Sequence, residues 1–400
     1  MIDAAATRQG RGAEARPDLA ALLLNLRRLD WLLLLAGAAL VGYGLWAIGA
    51  ITRYDVDGDP NYFLVRQGIA VAVGVVGFAV ALVVDPAVWS RHWRSLFAGT
   101  VGMLTLVLVL GSVARNSKRW LDIGPFRFQP SEFGKVLLVL VLAGFLAERA
   151  RRVDEGRVVV STIALALVPA LLVFVEPDIG TALVYGAAPL AVLFVAGIRW
   201  LHLTALVTLV AFAVLAVLWI LPAAGLPVLK PYQKERLTSF TDQGANASDA
   251  AYNLNQSITA VGAGGVGGRG VEGATQTNLD YLPEHETDFA FASLAEQRGF
   301  VGVAVLLLLY LLVLWRALTI AASARTAFAA IAAGGILFTL LFQIFVNVGM
   351  TIGIAPITGI PLPFVSVGGS SMVTNLVALG LLQSIHLRGQ TAPRRSSRRR

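Results

Sequence analysis

Residues 299–315 read GFVGVAVLLLLYLLVLW, 17 residues without a formal charge. Their apolar positions are continuous, so the pattern is that of a helix apolar on every side and not of a half-buried strand. A helix rises about 1.5 Å per residue, and the hydrocarbon core of a bilayer is about 30 Å thick. Extended back to residue 290, the run is long enough to cross. The chain repeats this pattern. Of its 400 residues 56% are hydrophobic and 14% charged, and the mean hydropathy is +0.72. A soluble domain carries nearly twice that charge fraction. The expected fold is all-α: a polytopic helical membrane protein of about ten transmembrane helices. A barrel needs alternation that these runs lack. There are no cysteines, which excludes disulfides, thiol catalysis and Cys-ligated metals.

Spans are expected near 31–51, 64–84, 95–114, 131–147, 158–175, 179–198, 201–222, 290–315, 326–349 and 364–386. Residues 1–30 and 388–400 form basic tails around a membrane domain at 31–387. The first thirty residues do not read as a cleaved signal, because the apolar run after them is full span length. Placing both termini in the cytoplasm puts 20 of the 32 Lys and Arg inside, and 16 of the 24 acids outside. The large polar segment 223–289 is then extracytoplasmic. The C-terminal RRSSRRR reads as an anchor beside anionic lipid.

Four outer stretches carry unusual chemistry. ARNSKRWLDIGPFRFQPSEFGK, 114–135, places Arg115, Lys118, Arg119, Arg127 and Lys135 on the face that should be poor in them. They either snorkel among headgroups or bind an anionic lipid-linked diphosphate, which Arg holds bidentately. A helix capped by Ser131 would put Glu132 and Lys135 on one face. In VEPDIGTAL, 175–183, Glu176 and Asp178 line a polar cavity, pair with a cation, or sit in a tight turn made by Pro177. NLNQSITAVGAGGVGGRG, 253–270, matches a dinucleotide fingerprint at Gly262, Gly264 and Gly267, a false match without a strand–helix unit. It reads either as a flexible loop or as backbone approaching a ligand, with Arg269 supplying charge. GIAPITGIPLPFVSVGGSS, 353–371, is uncharged, with three prolines, and suggests a re-entrant or tightly packed loop.

The fifth stretch directly precedes the opening one. LPEHETDFAFASLAEQRG, 282–299, brings Glu284, Glu286, Asp288 and Glu296 to the mouth of a span. It either caps and solvates the helix or carries catalysis.

Together these motifs resemble the SEDS family (shape, elongation, division and sporulation). The matching segments are KRWLDIGPFRFQPSEFGK, EPDIGTA, QSITAVGAGGVGGRG, LPEHETDFAFA and TGIPLPFVSVGGSS, in the family's order, and the ITGIPLPF and QSITAVGAGG wording is closer to its RodA branch than to FtsW. The resemblance implies a peptidoglycan glycosyltransferase polymerising lipid II on the outer face of the cytoplasmic membrane. It implies a class B penicillin-binding protein as cross-linking partner, other elongation-machinery proteins, and a divalent cation, Mg or Mn. The family's functional aspartate falls on Asp288, and the QPSE…K motif on Glu132 and Lys135. Asp288 is thus expected as general base and metal ligand, with a proton affinity raised by desolvation. Glu284 is the second candidate base, sharing its face if the segment is helical. Arg115, Lys118, Arg119, Glu132, Lys135, Asp178, Arg269 and Ser370 are the expected substrate-binding set. The α-linked donor and β-linked product imply a single inverting displacement. Glu176 stands where Gln is common, Glu286 where His is, Gln297 for the second acid of a Glu-Glu pair, Val367 for Tyr and Arg269 for Lys. These departures change the pocket's charge. A lipid II flippase, the division paralogue and a structural scaffold are the alternatives.

Overall fold

The computed structural model describes residues 28–114, 117–123, 126–226, 229–238 and 249–391. Residues 1–27 and 392–400 of the basic tails, Arg115 and part of the 223–289 segment lie outside them.

Among the described residues, ten helices are long and apolar enough to span a membrane. They are α1 (Trp31–Ile51), α2 (Tyr62–Val83), α4 (Trp93–Leu110), α5 (Pro130–Ala147), α6 (Gly156–Val175), α7 (Ile179–Ala196), α8 (Trp200–Ala223), α12 (Ala290–Ser323), α13 (Ala327–Thr351) and α14 (Gly369–Thr391). The short helices are α3 (Pro86–Arg91), α9 (Pro231–Thr238), α10 (Asp249–Gly264) and α11 (Thr275–Asn278). Helices α5, α13 and α14 are mostly buried and form the centre, whereas α8 is almost wholly exposed. Composition alone does not separate these positions, because all are apolar. In a bilayer the exposed faces meet lipid tails, so an apolar exterior carries no penalty.

The described residues of five connections gather at one end of the bundle: those within 52–61, 111–129, 176–178, 224–289 and 352–368. The opposite end is drawn together by Asp30. Its carboxylate accepts from the Leu33 amide at 3.0 Å, capping α1, and pairs with Arg316 of α12, Nε to Oδ2 at 3.0 Å.

Several expectations change at the loop-rich end. The third span stops at Leu110, and a small three-stranded antiparallel sheet follows: β1 (Ser112–Ala114), β2 (Ser117–Ile123) and β3 (Phe126–Phe128). The sequence signal was the Gly-Pro pair at 124–125 between two β-prone runs. Helix α5 begins at Pro130 with Gln129 as its cap, so Ser131 lies inside the first turn. Proline at the first helical position needs no amide partner there, which fixes the start one residue early. Residues 253–264 are not loop but most of α10, which packs on α12. A Cβ on Gly264 would fall 1.9 Å from the Ala295 carbonyl oxygen, and one on Gly299 (φ 64°) 2.3 Å from the Gly268 nitrogen. At Gly264, Gly268 and Gly299 the glycine-rich turn therefore brings backbone against backbone of this chain. The uncharged 353–371 stretch is tightly packed, with Ile360, Leu362, Phe364 and Val365 buried.

Candidate active site

The loop-rich end encloses a cavity of about 670 Å³. Its lining draws on five stretches of the chain between Arg119 and Ser371.

The first wall is β2 and the starts of α5 and α7. Asp178 caps α7: its Oδ1 accepts from the Thr181 amide at 3.0 Å. Its Oδ2 accepts from Gln129 Nε2 at 2.9 Å and pairs with Arg119 Nη1 at 3.6 Å. The Gln129 amide in turn donates to Ser370 Oγ at 2.9 Å, at the start of α14. Arg119, Glu132, Asp178 and Ser370 thus share the cavity.

The opposite wall carries the acids. Asp288 and Glu284 both line the cavity. The segment between them is not helical. Glu284 has φ +56°, Thr287 Oγ1 donates to its Oε2 at 2.8 Å, and α12 begins at Ala290. The two carboxylates therefore do not share a helix face; a turn presents them. Three polar residues hold that turn. Asn347 Nδ2 donates to the Asp288 carbonyl at 3.0 Å and to the Ile360 carbonyl at 2.8 Å. Ser366 Oγ donates to the Thr287 carbonyl at 2.5 Å, and the Val367 amide to the Glu286 carbonyl at 2.9 Å. Gln67 of α2 donates to the Ser366 carbonyl at 3.2 Å and accepts from the Gly368 amide at 3.1 Å. Sequence reasoning missed Asn347 and Gln67. Their signal was a buried amide inside an apolar helix, which persists only if satisfied.

It also missed Lys230 and Arg236, which add positive charge to the cavity. Helix α9 carries Arg236, and its carbonyl takes the Ile357 amide at 3.2 Å, fixing α9 to the 352–368 loop. A Cβ on Gly359 would lie 3.3 Å from Asp288 Oδ2 and 3.6 Å from Arg236 Nη1, so the acid and the guanidinium both stand beside a residue with no side chain.

Other expected residues lie elsewhere. Lys135 is buried behind the wall, bonding Glu132 Oε1 and Gln343 Oε1, each at 2.8 Å. An ammonium has three donors, and two are engaged inside the protein. Lys118 is exposed on β2 and does not line the cavity. Arg269 bonds the Ala263 carbonyl and Thr275 Oγ1, each at 3.2 Å, and holds the glycine-rich turn. Asp288 belongs to no group of three ligating side chains among the described residues; Asp55, His285 and Glu286 form one nearby.

Glu176 is fully buried, and neither carboxyl oxygen has a hydrogen-bond partner among the described residues. Burial first, then the charge of Asp178, pushes its pKa up to about 8, against the pull of Arg119. A raised folded pKa means the folded chain holds a proton that the unfolded chain releases. The resulting stabilisation is complete below the ordinary value of 4.5 and has gone by about pH 8. In that window it falls by up to about 1.4 kcal/mol per pH unit. Glu176→Gln, neutral throughout, is expected to flatten the decline of thermal stability across that window in detergent. Parallel pH curves for parent and variant would show that Glu176 ionises normally.

Comparison with known proteins decides the family. The profile described as "cell cycle protein", covering FtsW, RodA and SpoVE, matches residues 28–390. The chain is a member of the SEDS family. Among its SEDS relatives is the peptidoglycan glycosyltransferase MrdB of Escherichia coli (strain K12), 36% identical over 87% of this chain and 92% of that protein. Another is a probable peptidoglycan glycosyltransferase FtsW of Thioalkalivibrio sulfidiphilus, 38% identical over 90% of each. Of solved SEDS structures, a chain from a peptidoglycan synthase complex that coordinates polymerization and crosslinking superposes with a TM-score of 0.76. It is 31% identical, over 91% of this chain and 99% of that one. The rod shape determining protein RodA of Thermus thermophilus gives 0.66 at 28% identity, over 91% of this chain and 98% of that one.

Proposed function

We propose that the cavity polymerises lipid II into glycan strands during cell elongation, the chain being a peptidoglycan glycosyltransferase of the cell wall. One observation carries the assignment of the site. A carboxylate, Asp288, faces a cavity that also presents Arg119, Lys230 and Arg236.

Chain growth joins the 4-hydroxyl of one sugar to the anomeric carbon of another. The new bond is O4 to C1, the broken bond is C1 to phosphate oxygen, and inversion follows from a single displacement. Asp288 accepts the hydroxyl proton as the bond forms, making a weak nucleophile adequate. The diphosphate departs on its lipid with the bonding electrons. The three cations hold it and stabilise its growing charge. A divalent cation, when bound, would add charge neutralisation. The acids lining the cavity do not supply a three-residue ligand set among the described residues, so no step here depends on one.

The excess of Lys and Arg at the opposite end supports an extracytoplasmic cavity in the cytoplasmic membrane. A class B penicillin-binding protein is the proposed cross-linking partner, on the likeness to the synthase-complex chain. A flippase needs the same anionic-lipid site but no base, and charged groups along a crossing path; here the charges that line the cavity lie at its own end of the bundle.

The experiment is polymerisation of purified lipid II by purified protein, with and without the transpeptidase. Glycan strands are expected from the parent. Arg119→Ala is expected to need about ten- to a hundredfold more lipid II, the worth of one charge-assisted hydrogen bond at about 1.5–3 kcal/mol. Parental use of lipid II by that variant at every concentration would remove β2 from the binding site.

A further inference from the structure

A second constellation of ligating groups lies beside the catalytic turn, outside the cavity. Asp55 comes from the loop between α1 and α2, and His285 and Glu286 from the turn that carries Asp288. One donor atom from each lies within 4.8 Å of the others. The three side chains are largely shielded, His285 at 6%, Asp55 at 14% and Glu286 at 15% exposure.

We propose that Asp55, His285 and Glu286 bind a divalent cation of the Mn²⁺ or Zn²⁺ class, which ties the α1–α2 loop to the turn bearing Asp288. The inference rests on the function proposed above only for what the turn does.

Four features of the geometry support it. His285 Nδ1 stands 3.1 Å from the Leu282 carbonyl. A metal-bound imidazole almost always donates its other ring N–H in this way, which fixes the tautomer that leaves the second nitrogen free to ligate. That second nitrogen, Nε2, is 3.0 Å from Asp55 Oδ1. Two donors each about 2.1 Å from one ion, at tetrahedral or octahedral angles, stand roughly 3.0–3.4 Å apart, so the pair already has the spacing of neighbouring ligands. Asp55 Oδ2 is buried and has no hydrogen-bond partner among the described residues. Such an oxygen is costly to bury unless something meets it. Finally, oxygens of Asp55, Asp280 and Glu286 stand 3.0, 4.0 and 4.0 Å from the ring nitrogens of His285, so the imidazole sits among carboxylates as a ligating ring does.

The donor set narrows the ion. One imidazole nitrogen with two carboxylate oxygens suits Mn²⁺ and Zn²⁺ better than Ca²⁺, which takes oxygen alone. The ion's role is positional. Neither His285 nor Glu286 lines the cavity, whereas the next two residues, Thr287 and Asp288, do. Fixing 285–286 from one side complements Asn347 and Ser366, which fix 287–288 from the other.

The test is metal binding by the purified full-length protein after EDTA stripping. Mn²⁺ is titrated and its free signal read by electron paramagnetic resonance, with Zn²⁺ as competitor and thermal unfolding in parallel. One Mn²⁺ per chain is expected, displaced by Zn²⁺, with a higher unfolding temperature. His285→Ala should weaken binding at least tenfold. Asp55→Asn and Glu286→Gln keep shape and should do the same, so the test stands if the alanine variant misfolds. Asp288→Asn should bind Mn²⁺ like the parent. No binding by the parent would overturn the proposal and leave an imidazolium–carboxylate pair only. Parental affinity in the ligand variants, or loss in Asp288→Asn, would overturn it too. Intact Mn²⁺ binding in a protein that makes no glycan would instead sink the polymerase reading and leave the site standing.

Discussion

Asp288→Asn is expected to abolish glycan polymerisation while leaving the protein folded. The amide keeps the shape of the carboxylate and still hydrogen-bonds, but it cannot take the hydroxyl proton. Loss of a general base typically costs about 10²–10⁴-fold in rate. The fold should not notice, because the turn is anchored through backbone: Asn347 holds the Asp288 carbonyl, and Ser366 that of Thr287. Unfolding temperature should therefore match the parent. Glu284→Gln is the companion. Its carboxylate already accepts from Thr287, so it is the poorer base, and a smaller loss is expected. Excess divalent ion separates two explanations. A variant that has lost a metal ligand recovers part of its rate, and one that has lost a base does not. Polymerisation by Asp288→Asn at the parental rate would end the catalytic assignment and revive lipid transport.

Length and polarity made the ten spans legible, since crossing a bilayer demands long apolar helices and nothing in an aqueous core imposes that rule so strictly. The motifs were legible for a related reason: a carboxylate such as Asp178 at the lip of a span needs a partner, and charge there stands out. What stayed hidden depends on distance along the chain. Asn347 reads as one polar residue in an apolar run, and nothing near it in sequence announces the Asp288 carbonyl 59 positions away. Lys230 and Arg236 lay in a polar segment where basic residues carry no surprise. The Glu284–Asp288 spacing suggested one helix face, but the positive φ of Glu284 makes the segment a turn. Lys135 was misplaced by the same logic. Its three-residue spacing from Glu132 was right, and the pair is formed at 2.8 Å. Its direction was not, because Gln343, 208 residues on, draws the ammonium into the bundle.

Lys135→Ala is accordingly expected to act on stability before it acts on substrate. Removing one member of a buried ion pair leaves the other charge without compensation, at a cost of about 3–5 kcal/mol. Whole domains are commonly stable by about 5–15 kcal/mol, so the loss is a large share. Glu132 and Lys135 are each about 3% exposed, so little of either side chain is open to solvent. The variant should unfold at a markedly lower temperature in detergent and accumulate poorly, whereas Arg119→Ala, nearer the surface, should keep parental stability and lose lipid II affinity. Lys135→Met combined with Glu132→Gln removes both charges at nearly constant volume and is expected to recover most of the stability, as buried pairs replaced together commonly do. Its activity then isolates Glu132, which does line the cavity. A stable but inactive double variant assigns the carboxylate to substrate; a stable and active one makes the pair purely architectural. Parental unfolding of Lys135→Ala with weakened use of lipid II would mean that the ammonium leaves Glu132 and Gln343 and reaches the diphosphate, as the sequence first suggested.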